Sequence, residues 1–514
     1  MAALEEQLFA SGLPVEALME KAALAVAQRL RQPDWWPELQ RRGALVLVGP
    51  GHNGGDGLVV ARELRLAGLA VRLWSPFERR KPLTEAHWRH ARWLGIPVLE
   101  APPAADDPAV WIDALFGIGQ HRPLEATLGS LLEQKRLQNT GPLLAIDVPS
   151  GLCADHGRPL GGGTACAQLT CCIGLIKQGL VQDSALAWVG QLDRIDLGLP
   201  AALLNDLPRQ TPLVLQPRDA RQAPWPQQQT AAGKYGRGRL LVLAGSDAYR
   251  GAAQLCLLGA SASGCGSLRA AVPQAMAERL WQALPHVVVA AGLPSTASGG
   301  LNLAALPPSC LERLDALVVG PGLGLRGPEP AGSGSRASRA ADAATWERLQ
   351  GSPALLLLDA DGLNRLADGG DAAGWLRQRR GPTWITPHAA EFARLFPGLA
   401  DLPPLEAAAR AAERSGCTVL LKGARTLIAA ADGRRWQLGS AEPAAARAGL
   451  GDVLAGYGAG RAAAALAAGS PADAALLAAA ALEHALAGER AAAQGGGGGA
   501  TPMAVATALQ THIA

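Results

Sequence analysis

Arg447-Ala-Gly-Leu-Gly-Asp-Val-Leu-Ala-Gly456 decides how the second half of this 514-residue chain is read. Gly449 and Gly451 precede one acid, Asp452, and an apolar helical pattern starts with Val453, Leu454 and Tyr457. Glycines let the backbone turn tightly and approach a ligand. A helix start adds unpaired N–H groups at the positive end of the helix dipole. Phosphate oxygens suit such a place. A carboxylate there is either a helix cap or a base beside a phosphoryl group in transfer, and the motif alone leaves both open.

Working outward, other segments of the same half place loops beside it. Lys422-Gly-Ala-Arg-Thr426 follows the apolar run Thr418–Leu421, and Thr386-Pro-His388 follows Thr383–Ile385. Gly320-Pro-Gly-Leu-Gly324 follows Ala316–Val319, and Asp359-Ala-Asp361 follows Leu355–Leu358. Four loops after four buried runs predict an α/β sheet whose ligand lies at the carboxyl ends of its strands. Upstream, Lys234–Gly238 leads into a predicted strand Arg239–Leu243, and Gly251–Leu255 opens a helix.

The first half carries the same logic. A helical pattern with Leu18, Ala22, Ala25 and Val26 precedes the strand Ala44–Val48, which runs into Gly49-Pro-Gly-His-Asn-Gly-Gly-Asp-Gly57. Strand, glycine-rich turn and helix form the arrangement that cradles a pyrophosphate. Val110–Asp113 and Pro142–Asp147 are two further strands, the second closed by Val148-Pro-Ser-Gly-Leu152. Asn53, Asp56, Asp113, Asp147 and Ser150 thus reach one edge, although any single Asp among them can be a turn former.

Composition limits the alternatives. Lys and Arg total 47 against 44 Asp and Glu, a net +3, so there is no general basic field for nucleic acid. Eight cysteines without a CxxC pair argue against zinc or a disulfide framework and fit a reducing, cytoplasmic setting. The acidic start Met1–Glu6 is unlike a signal peptide. The greasiest stretch, Leu454–Leu486, carries Arg461, Asp473, Glu483 and His484 and reads as packed helices rather than a membrane span. Residues 205–232, rich in Pro and Gln, are expected to be an interdomain linker. Residues 325–344 and Gly495–Gly499 read as a loose insertion and a flexible turn before a last helix, Met503–His512.

The strings GPGHNGGDG, DALFGIG and AIDVPSGL resemble the epimerase domain of bifunctional NAD(P)H-hydrate repair enzymes. From about residue 233 onward the loops resemble their ribokinase-like dehydratase domain. The resemblance implies two α/β domains, an N-terminal Rossmann-like three-layer αβα unit over 1–204 and a C-terminal ribokinase-like αβα unit over 233–514. It implies that hydrated NADH or NADPH is held in the first half by His52, Asn53, Gly54, Gly55 and Asp56. Gly117, Ile118, Gly119, Gln120, His121, Arg122, Pro123 and a catalytic Asp147 would complete that site, with potassium on Asn53, Asp113 and Ser150. In the second half it implies the hydrate at Ala252, Gly322, His388 and Asp452, with Asp452 as base. ADP with magnesium would lie on Lys422, Gly423, Ala424, Arg425, Thr426 and Gly451.

The expected activity is metabolite repair. The R and S hydrates are epimerised, and ADP drives dehydration of the S form. The expected partners are these small molecules and a second copy of the chain in a homo-oligomer, with no nucleic acid and no membrane. The alternative is a small-molecule kinase for a hydroxymethylpyrimidine or sugar with a fused binding domain. Against the family's pattern, His52, Ile118, Ala23, Leu450 and Ala390 replace the usual residues, and Ala390 would be strained if its position needed positive φ.

Overall fold

The computed structural model describes residues 1–138, 140–225, 233–324, 336–495 and 499–511. The chain divides into two compact units, Met1–Pro208 and Arg209–Ala514.

The first unit is built on six parallel strands: β1 (Ala44–Val48), β2 (Val71–Trp74), β3 (Val110–Ala114), β4 (Leu143–Ile146), β5 (Leu169–Ile173) and β6 (Gln191–Ile195), in the order β2-β1-β3-β4-β5-β6. β1 is apolar throughout because both faces are covered. Leu45 and Leu47 enter one core, and Val46 and Val48 the other. The chain leaves β1 toward β2 on one side and β3 on the other, so the strand order reverses at β1 and opens a crevice at the strands' carboxyl ends. The glycine-rich turn is shorter than its string suggests, because the helix already begins at His52 and runs to Leu66. Close packing explains this: a Cβ on Gly54 would meet the Gly49 carbonyl oxygen at 2.0 Å.

The second unit carries β7 (Leu213–Leu215), β8 (Arg239–Leu243), β9 (Ser267–Pro273), β10 (Val288–Leu293), β11 (Ala316–Val319), β12 (Leu355–Leu358), β13 (Thr383–Ile385), β14 (Thr418–Leu421), β15 (Leu427–Ala429) and β16 (Arg435–Leu438). They form one sheet in the order β10-β9-β8-β11-β12-β13-β14-β15-β16-β7, parallel except where β15 runs antiparallel to β14 and β16. The reversal of order falls between β8 and β11, which places the Gly320–Gly324 loop at the crevice. One face is covered by the helices Arg250–Ala262 and Leu450–Ala467, packed so tightly that a Cβ on Gly456 would meet the Cys256 carbonyl oxygen at 1.9 Å. The Ala-rich stretch around Leu454–Leu486 therefore forms two packed helices, Leu450–Ala467 and Ala474–Gln494. Among the described residues no helix is long and apolar enough to cross a membrane.

Four expectations need correction. The segment 205–232 is not simply a linker. β7 adds to the sheet beside β16, and the Trp225 ring lies under the Arg461 guanidinium at 4.1 Å. Leu213-Val-Leu215 is too short a run to show against its Pro and Gln neighbours, and residues 226–232 lie outside the described residues. The insertion at 325–344 ends in a helix, Arg336–Gly351, that buries Thr345, Trp346 and Leu349, while 325–335 are not described. The last helix spans Pro502–Gln510, while most of the Gly495–Gly499 turn and His512 lie outside the described residues. Finally, Ala390 sits in the helix Ala389–Leu395 and is not among the positive-φ residues, so it carries none of the strain foreseen for it.

Candidate active sites of the two units

In the first unit, the carboxyl ends of β1, β3 and β4 surround a cavity of about 410 Å³. His52, Asn53, Asp56, Gly117, Ile118, Gly119, Gln120 and Asp147 are among the residues that line it. Gly54 and Gly55 do not; they let the helix close on its neighbours. His121, Arg122 and Pro123 line a second cavity of about 930 Å³, which shares Phe116, Gly119 and Gln120 with the first. Burial, and then Lys81, lower the His52 imidazole below its usual value.

Asp147 leaves β4 with φ 70, a left-handed conformation that costs a non-glycine residue roughly 1 kcal/mol. Its carboxylate holds the bend by accepting from Ile118 N at 3.2 Å and Ile173 N at 3.3 Å, and it pairs with Lys177 Nζ. Lys177 Nζ also donates to Ile173 O at 2.6 Å. Burial is the largest single influence on the Lys177 ammonium and lowers it, but Asp147, Cys172 and Glu5 together raise the group above its ordinary range.

Asn53, Asp113 and Ser150 are brought together around Phe116. Asn53 Nδ2 donates to Phe116 O at 3.0 Å, and Phe116 N donates to Ser150 Oγ at 3.1 Å. Ser150 Oγ and Ser150 N both donate to Asp113, at 2.7 and 2.8 Å. Even so, burial raises the Asp113 carboxyl to about 6. A buried single charge surrounded by neutral oxygens fits a large monovalent cation better than a divalent one.

In the second unit, Asp452 lies in the first turn of the helix Leu450–Ala467, after Gly449 in the left-handed region (φ 93). Burial and then Asp359 raise its carboxyl to about 7, with Asp361 and Glu391 adding and Lys422 opposing. Lys422 Nζ binds Asp359 Oδ1 at 2.7 Å and lies 3.8 Å from Glu391 Oε2. Thr386 Oγ1 donates to the same Asp359 oxygen at 2.8 Å. A Cβ on Gly451 would stand 3.4 Å from Lys422 Nζ, so the glycine leaves room beside the ammonium.

His388 caps the helix Ala389–Leu395: Ala390 N donates to its Nδ1 at 3.1 Å, and Glu391 accepts from His388 N at 2.8 Å. Gly322 (φ 62) packs on Ala252, whose Cβ lies 2.7 Å from a Cβ built at the glycine. The same loop is pinned by Gly324 N on Asp361 at 2.8 Å and by Arg365, which donates to Gly324 O, Leu301 O and Leu323 O. Ala360, between Asp359 and Asp361, is again left-handed (φ 48).

Beside this cluster lies a cavity of about 300 Å³ whose lining includes Lys422, Gly423, Ala424, Thr426 and Gly451 together with Leu438, Leu454, Ala481 and His484. Arg425 is buried and is not part of its lining. A lining that combines a cation and hydroxyls with apolar side chains suits a phosphate joined to a base. Among the described residues no three His, Cys, Asp or Glu side chains form a ready metal cage.

A family model described as NAD(P)H-hydrate dehydratase matches residues 240–511, and one described as YjeF-related protein N-terminus matches residues 15–179. The bifunctional NAD(P)H-hydrate repair enzyme Nnr of Gloeobacter violaceus is 42% identical over 459 residues, 88% of this chain and 85% of that one. Its counterpart from Synechocystis is 41% identical over 460 residues, 89% and 83% of the two chains. The chain belongs to the bifunctional NAD(P)H-hydrate repair enzymes.

Solved structures resemble part of the chain. A ribokinase-like superfamily protein from Enterococcus faecalis has a TM-score of 0.48 and 22% identity, over 58% of this chain and 94% of its own. An ADP/ATP-dependent NAD(P)H-hydrate dehydratase from Bacillus subtilis, co-crystallised with ATP and Mg2+, has 0.45 and 24%, over 59% and 97%.

Within this repair-enzyme chain, the sequence reading named the Asp359 loop but gave no site role to Lys177, Asp359 or Glu391. Asp359 had a signal, since it ends an all-Leu strand just as Asp113 ends an apolar one. Glu391 completes a capping box with His388, a pattern visible three residues on. Lys177 had none: it lies beyond β5 in an apolar stretch, and only the fold brings it to Asp147.

Proposed function

We propose that this chain repairs hydrated NADH and NADPH with two active sites in series, epimerising the R and S hydrates in the first unit and dehydrating the S form with ADP in the second. The observation that carries the second step is Asp452: a carboxyl raised to about 7 by burial, beside Lys422 and the open backbone at Gly451. A group near 7 is a competent base at neutral pH.

Hydroxide leaves poorly from the hydrated ring. Asp452 takes the proton of the hydroxyl while its oxygen attacks the β-phosphoryl group of ADP, which releases AMP. N–H groups from Gly449 to Gly451 and the Lys422 ammonium stabilise charge on the phosphoryl group in transit. Phosphate then departs with the former hydroxyl oxygen, the adjacent carbon loses a proton, and the ring double bond re-forms. Magnesium arriving with ADP would be held mainly through the phosphates and water, and it supplies charge neutralisation. The hydrate would lie against Ala252, Gly322 and His388, and the nucleotide along Lys422–Thr426 with its base toward Leu454 and Ala481.

In the first unit, Asn53, Asp113 and Ser150 would hold potassium, which supplies the positive charge that the buried Asp113 lacks. His52–Asp56 and Gly117–Pro123 would hold the substrate beside Asp147.

The experiment is to add ADP and Mg2+ to the S hydrate and follow the absorbance of the reduced ring together with AMP and phosphate. All three products in equal amounts support the reading. A stable phosphorylated product with no reduced ring would mark a kinase instead.

A further inference from the structure

Asp56 and Lys177 stand in the same cavity as Asp147 but differ from it in what surrounds them. Lys177 is almost enclosed, with its side chain 4% exposed, and its ammonium is given to Asp147 and the Ile173 carbonyl. Asp147 keeps 11% of its side chain open while three donors hold it. Asp56, on the helix His52–Leu66, is buried, lines the same cavity and feels the charges of Asp147, Glu5 and Lys177, and among the described residues it makes no ion pair like that of Asp147. Two carboxyls in one cavity, one beside an ammonium and one without, sort into a base and an acid.

We propose that Asp56 and Asp147 are the two proton-transfer groups of the epimerisation, and that Lys177, paired with Asp147, is the positioning residue that sets the two carboxyls apart. This rests on reading the first unit as the epimerase. The carbon to be inverted bears both the hydroxyl and the ring nitrogen. Asp56 gives its proton to the hydroxyl, the C–O bond breaks, and the nitrogen lone pair forms the C=N+ bond as water departs. The Asp147 carboxylate faces the cation so formed. Water then adds to the other face: a C–O bond forms, the C=N pair returns to nitrogen, and the extra proton of the water passes to Asp147. Atoms and charge balance, and the proton has moved from Asp56 to Asp147. That state runs the opposite epimerisation, and exchange with solvent restores the first one.

The acid form of Asp56 is favoured first by burial and then by the Asp147 and Glu5 charges, with Lys177 opposing. His52, Lys81 and the amino group of Met1 are the other titratable groups on residues lining the cavity.

The test measures exchange of purified R hydrate into S by the full chain across mildly acidic to mildly basic pH. Asp56→Asn should lower kcat by about 100-fold or more with KM little changed. Lys177→Met removes the cation paired with Asp147, so the acidic limb of the pH–rate profile should move up by about one unit or more. Lys177→Arg should bring that limb back. An unmoved limb in Lys177→Met, or more than about a tenth of wild-type kcat in Asp56→Asn, would overturn the assignment. If Lys177→Met does not fold, Asp56→Asn and Lys177→Arg still decide it: full kcat in the first, or an acidic limb lost in the second, counts against it. Wild-type protein that fails to exchange the epimers overturns the epimerase reading itself, a separate result.

Discussion

Burial first, and then Asp359, hold the Asp452 carboxyl near neutrality, and this sets how both activity and stability respond to pH. The base is the ionised form, so dehydration should rise with pH through about 7 and level off above it. Asp452→Asn keeps the shape and loses the base, and should lower dehydration by about 100-fold or more at saturating ADP. The same substitution carries a stability signature. The folded chain holds this proton more tightly than the unfolded one, so stability falls as pH rises from the ordinary carboxylate range through about 7. Asp452→Asn should therefore melt a few degrees above wild type at mildly basic pH, with the gap closing in acid, as read by calorimetry. At this scale the sequence was legible where glycines mark a position, as at Gly449-Leu-Gly451-Asp452. It was silent where chemistry depends on side chains from distant segments, as with Lys177 against Asp147 and Lys422 against Asp359.

Elements were legible in proportion to their burial. Ala44–Val48, Ala316–Val319 and Leu355–Leu358 stand out because both of their faces are covered and no polar residue interrupts them. The edge of the second sheet was not legible: Leu213–Leu215 is half-exposed, three residues long and flanked by prolines. That edge has a consequence for dissection. A fragment beginning at Arg209 keeps β7 on β16 and Trp225 under Arg461, whereas one beginning at Gly233 exposes the β16 edge and the ring's apolar site. The longer fragment should be soluble and dehydrate the S hydrate, and the shorter should melt at least several degrees lower or aggregate, measured by thermal unfolding and size exclusion. Equal stability of the two would remove β7 from the fold's support.

Across the whole chain, two units with separate sheets each present a crevice at the carboxyl ends of their strands. The predicted cation belongs to the first unit alone. Its buried Asp113, raised to about 6, should be relieved by potassium, so exchanging potassium for lithium should lower the melting temperature of that unit and slow epimerisation. Asp113→Ala should abolish the difference between the salts, and wild-type protein indifferent to the salt would remove the ion. Complete repair of the R hydrate needs two reactions joined through one intermediate epimer. The direct measurement gives the full chain pure R hydrate with ADP, Mg2+ and potassium, while hydrate epimers and reduced ring are followed together. S hydrate should appear first and the reduced ring afterwards, until no hydrate of either hand remains. With Asp452→Asn the reaction should stop at a mixture of R and S. Reduced ring formed without ADP, or an R hydrate that persists unchanged beside wild-type protein, would contradict it.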